Sequence, residues 1–397
     1  FILAELLLLV VAFCMMWFGN NFAAAMEFIW TVTVDLVSGT KFHIAGLITS
    51  SVFWMFLYFK KVYKSKGLKV MTKKLTLYLL LPLGLLFTSF QALNQYRYDD
   101  DFQWTKNESV FNDTDGSNNH YARDSKIRGM HVFGRGNDAG SGIDRLVSAN
   151  VEWLAHVPYG YQRTTSTTEV RHSKKDSLNQ WTRRDSSFIL LTEQMRSKGV
   201  RSIMKPHIWM SNAGSAEWRN AINFDNEVDW KIWEDNYHSF IMHYAEMAEE
   251  FDMEMLCIGV EMRSTVRARE GFWRGLIRDV RKVYKGKITY GANWWEEFEE
   301  VPFWDALDYI GIQAYFPLSG FDSPSVNEIK KGWKPHYSKL KSLSKNYRKP
   351  ILFTEIGYRN TIDTATKPWE WPESIDNLLV KTSIETQYNC YEAFFET

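Results

Sequence analysis

Two glutamates stand at the ends of apolar segments, where a carboxylate can take part in chemistry. Glu261 ends the segment Leu256-Cys-Ile-Gly-Val-Glu, and Glu355 ends Ile351-Leu-Phe-Thr-Glu. For either residue alone, a helix cap or an ion pair with a nearby arginine is an equally good explanation. Together, on the fourth and seventh strands of one barrel, they would face each other across its mouth, and retaining glycosidases need two such carboxyls about 5 Å apart. We therefore predict that Glu261 and Glu355 are catalytic.

Aromatic and polar side chains accompany these glutamates at the predicted strand ends. The aromatic candidates are Tyr159, Trp209, Trp294, Trp295, Tyr315 and Tyr358. Such rings offer flat apolar faces with polar edges, which suit a pyranose with C–H faces and a hydroxyl rim. Core packing explains any single Trp equally well. The polar candidates His207, Asn293 and Gln313 can bind hydroxyls or orient the carboxylates, and each also has a purely structural explanation.

The composition and the absence of certain motifs argue against a nucleic-acid partner, a metal site, a disulfide framework and a nucleotide cofactor. The 47 basic and 47 acidic residues balance, so no nucleic acid is expected as a partner. Cys14, Cys257 and Cys390 are far apart in sequence and form neither a metal-binding cluster nor a disulfide framework. His238 and His243 are five residues apart rather than the four of a zinc-binding helix. Neither a nucleophile elbow nor a nucleotide-binding glycine loop occurs, so we expect no metal and no cofactor.

Strands and helices alternate in the part of the chain that carries these residues. The predicted strands are 128–133, 151–158, 201–207, 255–261, 288–293, 309–315 and 351–355. The clearest predicted helices are 186–198, 228–251, 267–284 and 336–346, with another at 383–395. This alternation indicates an α/β fold with a parallel sheet and helices outside it.

The number of predicted strands favours a (β/α)8 TIM barrel, whose active site gathers at the carboxyl ends of the strands. One strand is missing, because the chain ends at Thr397 after a helix. Seven strands would leave two unpaired edges, which soluble proteins generally avoid. The prediction is therefore a barrel that lacks its eighth strand in this chain and is truncated at its C-terminus.

The first part of the chain is predicted to contact a membrane. Apolar runs cover residues 1–18, 44–59 and 75–90, and seven lysines without an acidic residue lie between Lys60 and Lys74. The positive-inside rule keeps this loop in the cytoplasm and exports the chain after Phe90. Two interpretations remain: three spans, or a signal anchor that starts at Met71. Because residue 1 is Phe, the sequence is expected to begin inside a longer chain.

Three regions follow from these patterns. Residues 1–93 form a membrane-anchoring segment of transmembrane or signal-anchor helices, residues 94–126 a polar linker, and residues 127–397 the catalytic domain. The linker is too polar to bury a core of its own. The expected location is membrane-anchored, with the catalytic domain on the periplasmic or extracellular face.

The motifs at the strand ends resemble glycoside hydrolase family 113, the endo-β-1,4-mannanase-like barrels of clan A. The resemblance rests on these segments: Val157-Pro-Tyr-Gly-Tyr161, Met204-Lys-Pro-His-Ile-Trp209, Cys257-Ile-Gly-Val-Glu261, Tyr290-Gly-Ala-Asn-Trp-Trp295, Asp308-Tyr-Ile-Gly-Ile-Gln-Ala-Tyr315 and Phe353-Thr-Glu-Ile-Gly-Tyr358. It implies that Glu261 is the acid/base and Glu355 the nucleophile. It also implies a substrate cleft lined by His207, Trp209, Trp294, Trp295 and Tyr315. Val260 replaces the Asn that precedes the acid/base in many clan A enzymes.

The leading hypothesis is thus a retaining glycoside hydrolase acting on β-1,4-mannan or a related β-linked polysaccharide. Glu261 is expected to be protonated at a pH where Glu355 is ionised. A catalytically silent carbohydrate-binding protein of the cell surface and an envelope transglycosylase are the alternatives. The expected partners are an oligo- or polysaccharide and membrane lipid, and the chain is expected to be a monomer.

Overall fold

A computed structural model describes residues 41–98, 120–132, 139–175, 180–211, 218–370 and 380–397. The chain divides into two compact units, Phe1–Asp99 and Asp100–Thr397. The predicted apolar run 1–18 lies outside the described residues. The predicted division into three regions at residues 93 and 126 stays a prediction. The described parts of the predicted linker are helical: one helix extends to Tyr98, and another covers His120–Asp124.

The first unit is helical from Lys41 to Tyr98. Helix α1 (Lys41–Leu75) continues through a π-helical turn (Thr76–Leu80) into α2 (Leu81–Tyr98). The lysine-rich segment, predicted as a loop, is helical on both sides of Gly67, where φ is 76° and ψ is 174°. Lys74 Nζ donates to Tyr58 Oη at 3.2 Å. Sixteen residues of straight helix would span roughly 24 Å, so the chain bends back sharply at Gly67.

One stretch of the described residues, Trp54–Arg97, is long and apolar enough to cross a membrane. Its mean hydropathy reaches 1.6, and none of that apolar window is buried. Leu85 and Phe87, for example, are 61% and 62% exposed. The first unit therefore contains one long, unburied apolar helical stretch, in keeping with a signal anchor or a membrane span.

The second unit is built on a seven-stranded parallel sheet. The strands in chain order are β1 (Gly129–Val132), β2 (Trp153–His156), β3 (Tyr159–Gln162), β4 (Arg201–Met204), β5 (His207–Met210), β6 (Met255–Val260), β7 (Lys287–Asn293), β8 (Ile310–Gln313) and β9 (Ile351–Glu355). The order in the sheet is β1-β2-β4-β6-β7-β8-β9, while β3 and β5 pair with each other in a separate two-stranded sheet. The predicted α/β fold with seven parallel strands is confirmed, and the sheet curls like part of a TIM barrel.

Helices connect and cover the strands of this unit. They are α3 (His120–Asp124), α4 (Ala139–Ser148), α5 (Arg183–Ser197), α6 (Glu227–Glu250), α7 (Arg263–Ala268), α8 (Glu270–Val283), α9 (Glu297–Glu300), α10 (Val326–Tyr347) and α11 (Ile384–Glu396), with 3₁₀ turns at Arg219–Ala221 and Trp304–Ala306. The predicted helix 267–284 is divided at Arg269, where φ is −132° and ψ is 44°. Helix α10 begins ten residues before the predicted start at 336, because Ser325 and Glu328 form a capping box there and Pro335 lies inside the helix.

Prolines explain two of the strands that the sequence analysis predicted too long. Predicted strand 151–158 ends at His156, and predicted strand 201–207 ends at Met204. Pro158 and Pro206 lie just before β3 and β5, and proline has no N–H to donate to a sheet. The chain therefore leaves the main sheet at these prolines and forms the β3–β5 pair. Tyr159 lies beside His207 in its register.

The core between sheet and helices is rich in aromatic side chains. Every residue of β6 is buried. Trp233 of α6 stacks on Tyr237 with ring centroids 5.0 Å apart. Trp273 of α8 stacks on Phe303 at 5.6 Å. Several tryptophans are therefore core residues, which is the alternative that the sequence analysis gave for any single Trp.

Two helical glycines are expected to respond oppositely to alanine. A Cβ on Gly332 of α10 would lie 2.0 Å from the backbone oxygen of Leu318, whereas a Cβ on Gly275 of α8 meets only the Arg278 guanidinium at 3.7 Å. Gly332→Ala should lower the free energy of unfolding by about 1–3 kcal/mol through overpacking. Gly275→Ala should raise it by up to about 1 kcal/mol through helix propensity. Thermal unfolding of the full chain in detergent, followed by circular dichroism, measures both; shifts of equal sign would contradict this packing.

Candidate active site

The carboxyl ends of four neighbouring strands bring the acidic and amide candidates to one edge of the sheet. Glu261 directly follows β6, and Asn293 ends β7. Gln313 ends β8, and Glu355 ends β9. Glu261 has a left-handed backbone with φ of 50°, so the chain turns immediately after the strand. Parallel strands therefore place these side chains on the same side of the fold.

Glu355 lies in a polar, largely enclosed environment. Lys205 Nζ is 2.6 Å from its Oε1, and Tyr315 Oη donates to its Oε2 at 2.9 Å. Burial by itself raises the pKa of Glu355, but the charge of Lys205 and its hydrogen bond to the carboxylate outweigh burial. The pKa of Glu355 is consequently held far below its ordinary value. The carboxylate is ionised throughout the neutral range.

Lys205 is the hub of the polar contacts around Glu355. The side chain is almost fully buried, with 1% of its surface exposed. Besides Glu355, its ammonium contacts His131 Nε2 at 3.1 Å, the Thr354 carbonyl at 3.1 Å and Gln313 Oε1 at 3.3 Å. Burial and the Lys205 charge lower the pKa of His131 to about 3, so its neutral ring accepts from the ammonium.

His207 is a second neutral histidine beside Glu355. Burial, then the charges of Lys205 and Arg219, hold its pKa well below the ordinary value. Its Nε2 is 3.8 Å from Glu355 Oε1, too far for a hydrogen bond. This buried nitrogen has no hydrogen-bond partner among the described residues.

Glu261 accepts three hydrogen bonds from a different set of side chains. Arg219 Nη2 donates to Oε2 at 2.8 Å, and Trp218 Nε1 donates to the same oxygen at 3.2 Å. Asn293 Nδ2 donates to Oε1 at 2.9 Å. The Arg219 guanidinium also lies 4.4 Å from the centroid of the Trp218 ring. Each carboxylate thus has one cationic partner of its own.

Tyr315 is influenced by both carboxylates. Its hydroxyl donates to Glu355. Burial, then the charges of Glu355 and Glu261, raise its pKa far above the ordinary value. The hydroxyl therefore stays protonated and remains a hydrogen-bond donor. Glu261 acts on it without a direct hydrogen bond, so the charges of both carboxylates reach this hydroxyl.

Exposed aromatic rings flank these carboxylates in two groups. Trp209 is 40% exposed and meets Tyr159 edge-on at 5.7 Å and Trp218 at 6.3 Å. In the second group, Trp294 stacks on Trp369 with centroids 5.0 Å apart. Trp295 is 58% exposed and meets Trp294 edge-on at 5.6 Å. Both groups offer ring surface to a ligand.

Two of the predicted site residues lie apart from this exposed surface. Gln313 is fully buried, and its Oε1 accepts from Lys205 and from Thr354 Oγ1. Tyr358 is 5% exposed and packs edge-on against Tyr391 of α11 at 5.1 Å. Gln313 therefore supports Lys205, and Tyr358 belongs to the core.

Sequence reasoning missed five side chains that the structure brings to the site: His131, Lys205, Trp218, Arg219 and Trp369. For His131 and Lys205 a signal existed, because both lie inside predicted strands where a polar side chain needs a buried partner. Trp218, Arg219 and Trp369 lie outside the strands and the α-helices. No periodic pattern marks such positions.

The fold and the site together define a TIM-like α/β protein with acidic and aromatic side chains at its strand ends. The family model described as Glycoside Hydrolase Family 113 matches residues 130–397, about two-thirds of the sequence. The chain belongs to this family, which confirms the resemblance drawn from the motifs. No curated protein matches the chain.

Solved structures of the family resemble this chain closely enough to compare. A structure described as a GH113 β-1,4-mannanase is 28% identical, with a TM-score of 0.56, and the match covers 68% of this chain and 83% of that chain. The complex structure of a GH113 β-1,4-mannanase is 27% identical with the same TM-score and coverage. The β-mannanase AaManA from Alicyclobacillus acidocaldarius is 25% identical, with a TM-score of 0.57 and coverage of 68% and 82%.

Acid titration is expected to show the buried charge of Glu355. Its pKa in the folded chain lies far below the ordinary value of 4.5, so only the unfolded chain takes up this proton as the pH falls through that value. The thermal midpoint of the wild type should thus fall more steeply between about pH 5 and pH 3 than that of Glu355→Gln. Glu385→Gln removes an exposed carboxylate of α11 and is the control. Parallel curves for wild type and Glu355→Gln would show that Glu355 has no depressed pKa.

Proposed function

We propose that the protein is a retaining glycoside hydrolase that cleaves β-1,4-mannan or a related β-linked polysaccharide. Glu355 is the nucleophile and Glu261 the acid/base. The observation that carries this proposal is the environment of Glu355: the ammonium of Lys205 keeps this carboxylate ionised in a largely buried position. The printed descriptions of the family relatives as β-1,4-mannanases support the choice of substrate.

In the first step, the Glu355 carboxylate attacks the anomeric carbon, and the bond from that carbon to the leaving oxygen breaks. Glu261 transfers its proton to the leaving oxygen and becomes a carboxylate. Arg219, Trp218 and Asn293 donate hydrogen bonds to that carboxylate. These contacts therefore stabilise the form of Glu261 that the first step produces.

In the second step, Glu261 takes a proton from water while the water oxygen bonds to the anomeric carbon. The bond from that carbon to Glu355 breaks, and the electron pair returns to the carboxylate. Lys205 and Tyr315 are already placed beside the two oxygens that recover this charge. Preorganised donors of this kind act without rearranging during the reaction.

The sugar is bound by the two aromatic groups and by neutral polar side chains. Trp209 and Tyr159 form one apolar surface, and Trp294 and Trp295 the other. His207 offers its unpaired Nε2 to a sugar hydroxyl. A chain of sugar rings along both groups is in keeping with a polysaccharide substrate.

The catalytic unit is part of a (β/α)8 barrel attached to a membrane and exported. The exposed apolar stretch Trp54–Arg97 supports the attachment, because a bilayer would cover side chains that the protein leaves uncovered. The seven lysines between Lys60 and Lys74 support a cytoplasmic bend and an exported catalytic unit.

Azide is expected to distinguish the two carboxylates. With an activated aryl β-mannobioside, Glu355→Ala should lose turnover by a factor of roughly 10⁴ or more, and azide should give the inverted α-glycosyl azide by single displacement. Glu261→Ala should form the glycosyl-enzyme, and azide should give the retained β-glycosyl azide. Nuclear magnetic resonance of the products reads the anomeric configuration. Normal turnover by Glu355→Ala, or the reverse pair of products, would refute the assignment.

Cysteine labelling at two exposed lysine positions tests which side of the membrane each unit occupies. In whole cells, an impermeant thiol reagent should label Lys341→Cys on α10 and should label Lys66→Cys only after permeabilisation. The unmodified chain gives the background: Cys257 and Cys390 are buried, and any labelling of Cys14, which lies outside the described residues, is subtracted with it. Equal labelling of the two variants in intact cells would contradict export of the catalytic unit.

A further inference from the structure

A third carboxyl group, that of Glu297, lies buried behind Glu261. Its side chain is completely covered at the start of α9. Tyr290 Oη donates to Oε1 at 2.6 Å, and the backbone N–H of Asn293 donates to Oε2 at 2.8 Å. Burial raises the pKa of Glu297 to about 8, and the charge of Glu261 contributes to the rise. The chemistry described above makes no use of this group.

Both hydrogen-bond partners of Glu297 also contact Glu261 or the residue after it. The Asn293 side chain donates to Glu261 Oε1 at 2.9 Å. The Tyr290 hydroxyl accepts from the Met262 N–H at 2.7 Å. Two separate paths therefore run from the Glu297 carboxyl: one to the carboxyl group of Glu261, and the other to the peptide that follows Glu261.

The backbone at Glu261 needs such support. Its φ of 50° is in the left-handed region, which is unfavourable for any residue with a Cβ. Such a conformation persists only where its surroundings fix it. The hydrogen bond from Met262 to Tyr290 and the one from Glu261 N–H to the Gly291 carbonyl, at 2.9 Å, hold the turn on both sides. Glu297 in turn fixes the hydroxyl of Tyr290.

We infer that Glu297 is a positioning residue for the acid/base: through Asn293 and Tyr290 it holds the Glu261 carboxyl where it can protonate the leaving oxygen. This inference rests on the proposed role of Glu261. It adds a residue that touches no substrate and acts only through its two partners. Its loss should therefore impair proton transfer more than attack by Glu355.

Leaving-group dependence measures this effect, because a leaving group of low basicity departs without a proton. In the full chain, Glu297→Gln should lower kcat/KM roughly 10- to 100-fold on unactivated manno-oligosaccharides. On a dinitrophenyl β-mannobioside the same variant should keep its rate within about threefold, because proton transfer contributes little there. Tyr290→Phe removes the hydroxyl of one path and should show the same pattern, more weakly.

The control is Glu299→Gln on the same short helix, whose carboxylate pairs with Lys339 at the surface. It should change neither rate. Equal losses on both substrates for Glu297→Gln would overturn the inference in favour of a merely structural role. Should Glu297→Gln fail to fold, Tyr290→Phe decides in its place, and an unselective loss there overturns the inference equally.

Glu261→Ala, measured in parallel, separates this inference from the proposed function. Selective loss on the unactivated substrate by Glu261→Ala, without such loss by Glu297→Gln, would remove only the positioning role. Full activity of Glu261→Ala on unactivated oligosaccharides would remove the acid/base assignment itself, and the inference with it.

Discussion

One buried ion pair constrains the shape of the whole catalytic unit. Lys205 follows β4 and Glu355 ends β9, and these strands are four places apart in the sheet. In a flat sheet that separation would be roughly 19 Å, more than the two side chains can span. Their charged atoms nevertheless lie 2.6 Å apart. The sheet must therefore curl. His131 from the other edge strand, β1, contacts the same ammonium, so both edges of the sheet converge on Lys205.

The same ion pair organises the charges of the site. Removing one partner of a buried pair leaves an uncompensated charge, which typically costs 3–5 kcal/mol. Burial keeps the neighbouring histidines neutral, so they add no second cation beside Glu355. Arg219 is paired with Glu261, the other carboxylate. One cation beside each carboxylate offsets the repulsion between two acidic groups in an enclosed site.

Sequence patterns predicted where the strands lie and which glutamates stand at their ends. Each strand of the main sheet was expected near its actual place, because apolar runs with intervening helices leave few alternatives. Glu261 and Glu355 were located through the ends of those runs. The position of a residue along a strand does not determine which way its side chain points, since successive side chains alternate. Gln313, at the end of β8, was therefore predicted at the substrate surface although it is buried, and Tyr358, three residues after β9, is buried as well.

Sequence patterns could not predict the contacts between segments that are distant in the chain. Lys205 can contact Glu355 only because the sheet curls, and no local pattern in the sequence encodes that curl. Trp218 and Arg219 come from a connection between β5 and α6, where neither helical nor strand periodicity marks a residue. The left-handed turn at Glu261 is equally invisible, because glutamate has no preference for that conformation.

The tryptophans show how the chain separates packing from binding. Trp233 and Trp304 are fully buried, and their indole N–H groups donate to Gln162 Oε1 and to the Phe298 carbonyl. Trp209 and Trp295 instead leave 40% and 58% of their surface exposed beside the carboxylates. Large apolar rings clustered at a surface are typical of an interaction site. The exposed rings therefore suit the proposed ligand, because a pyranose has apolar faces that can stack on them.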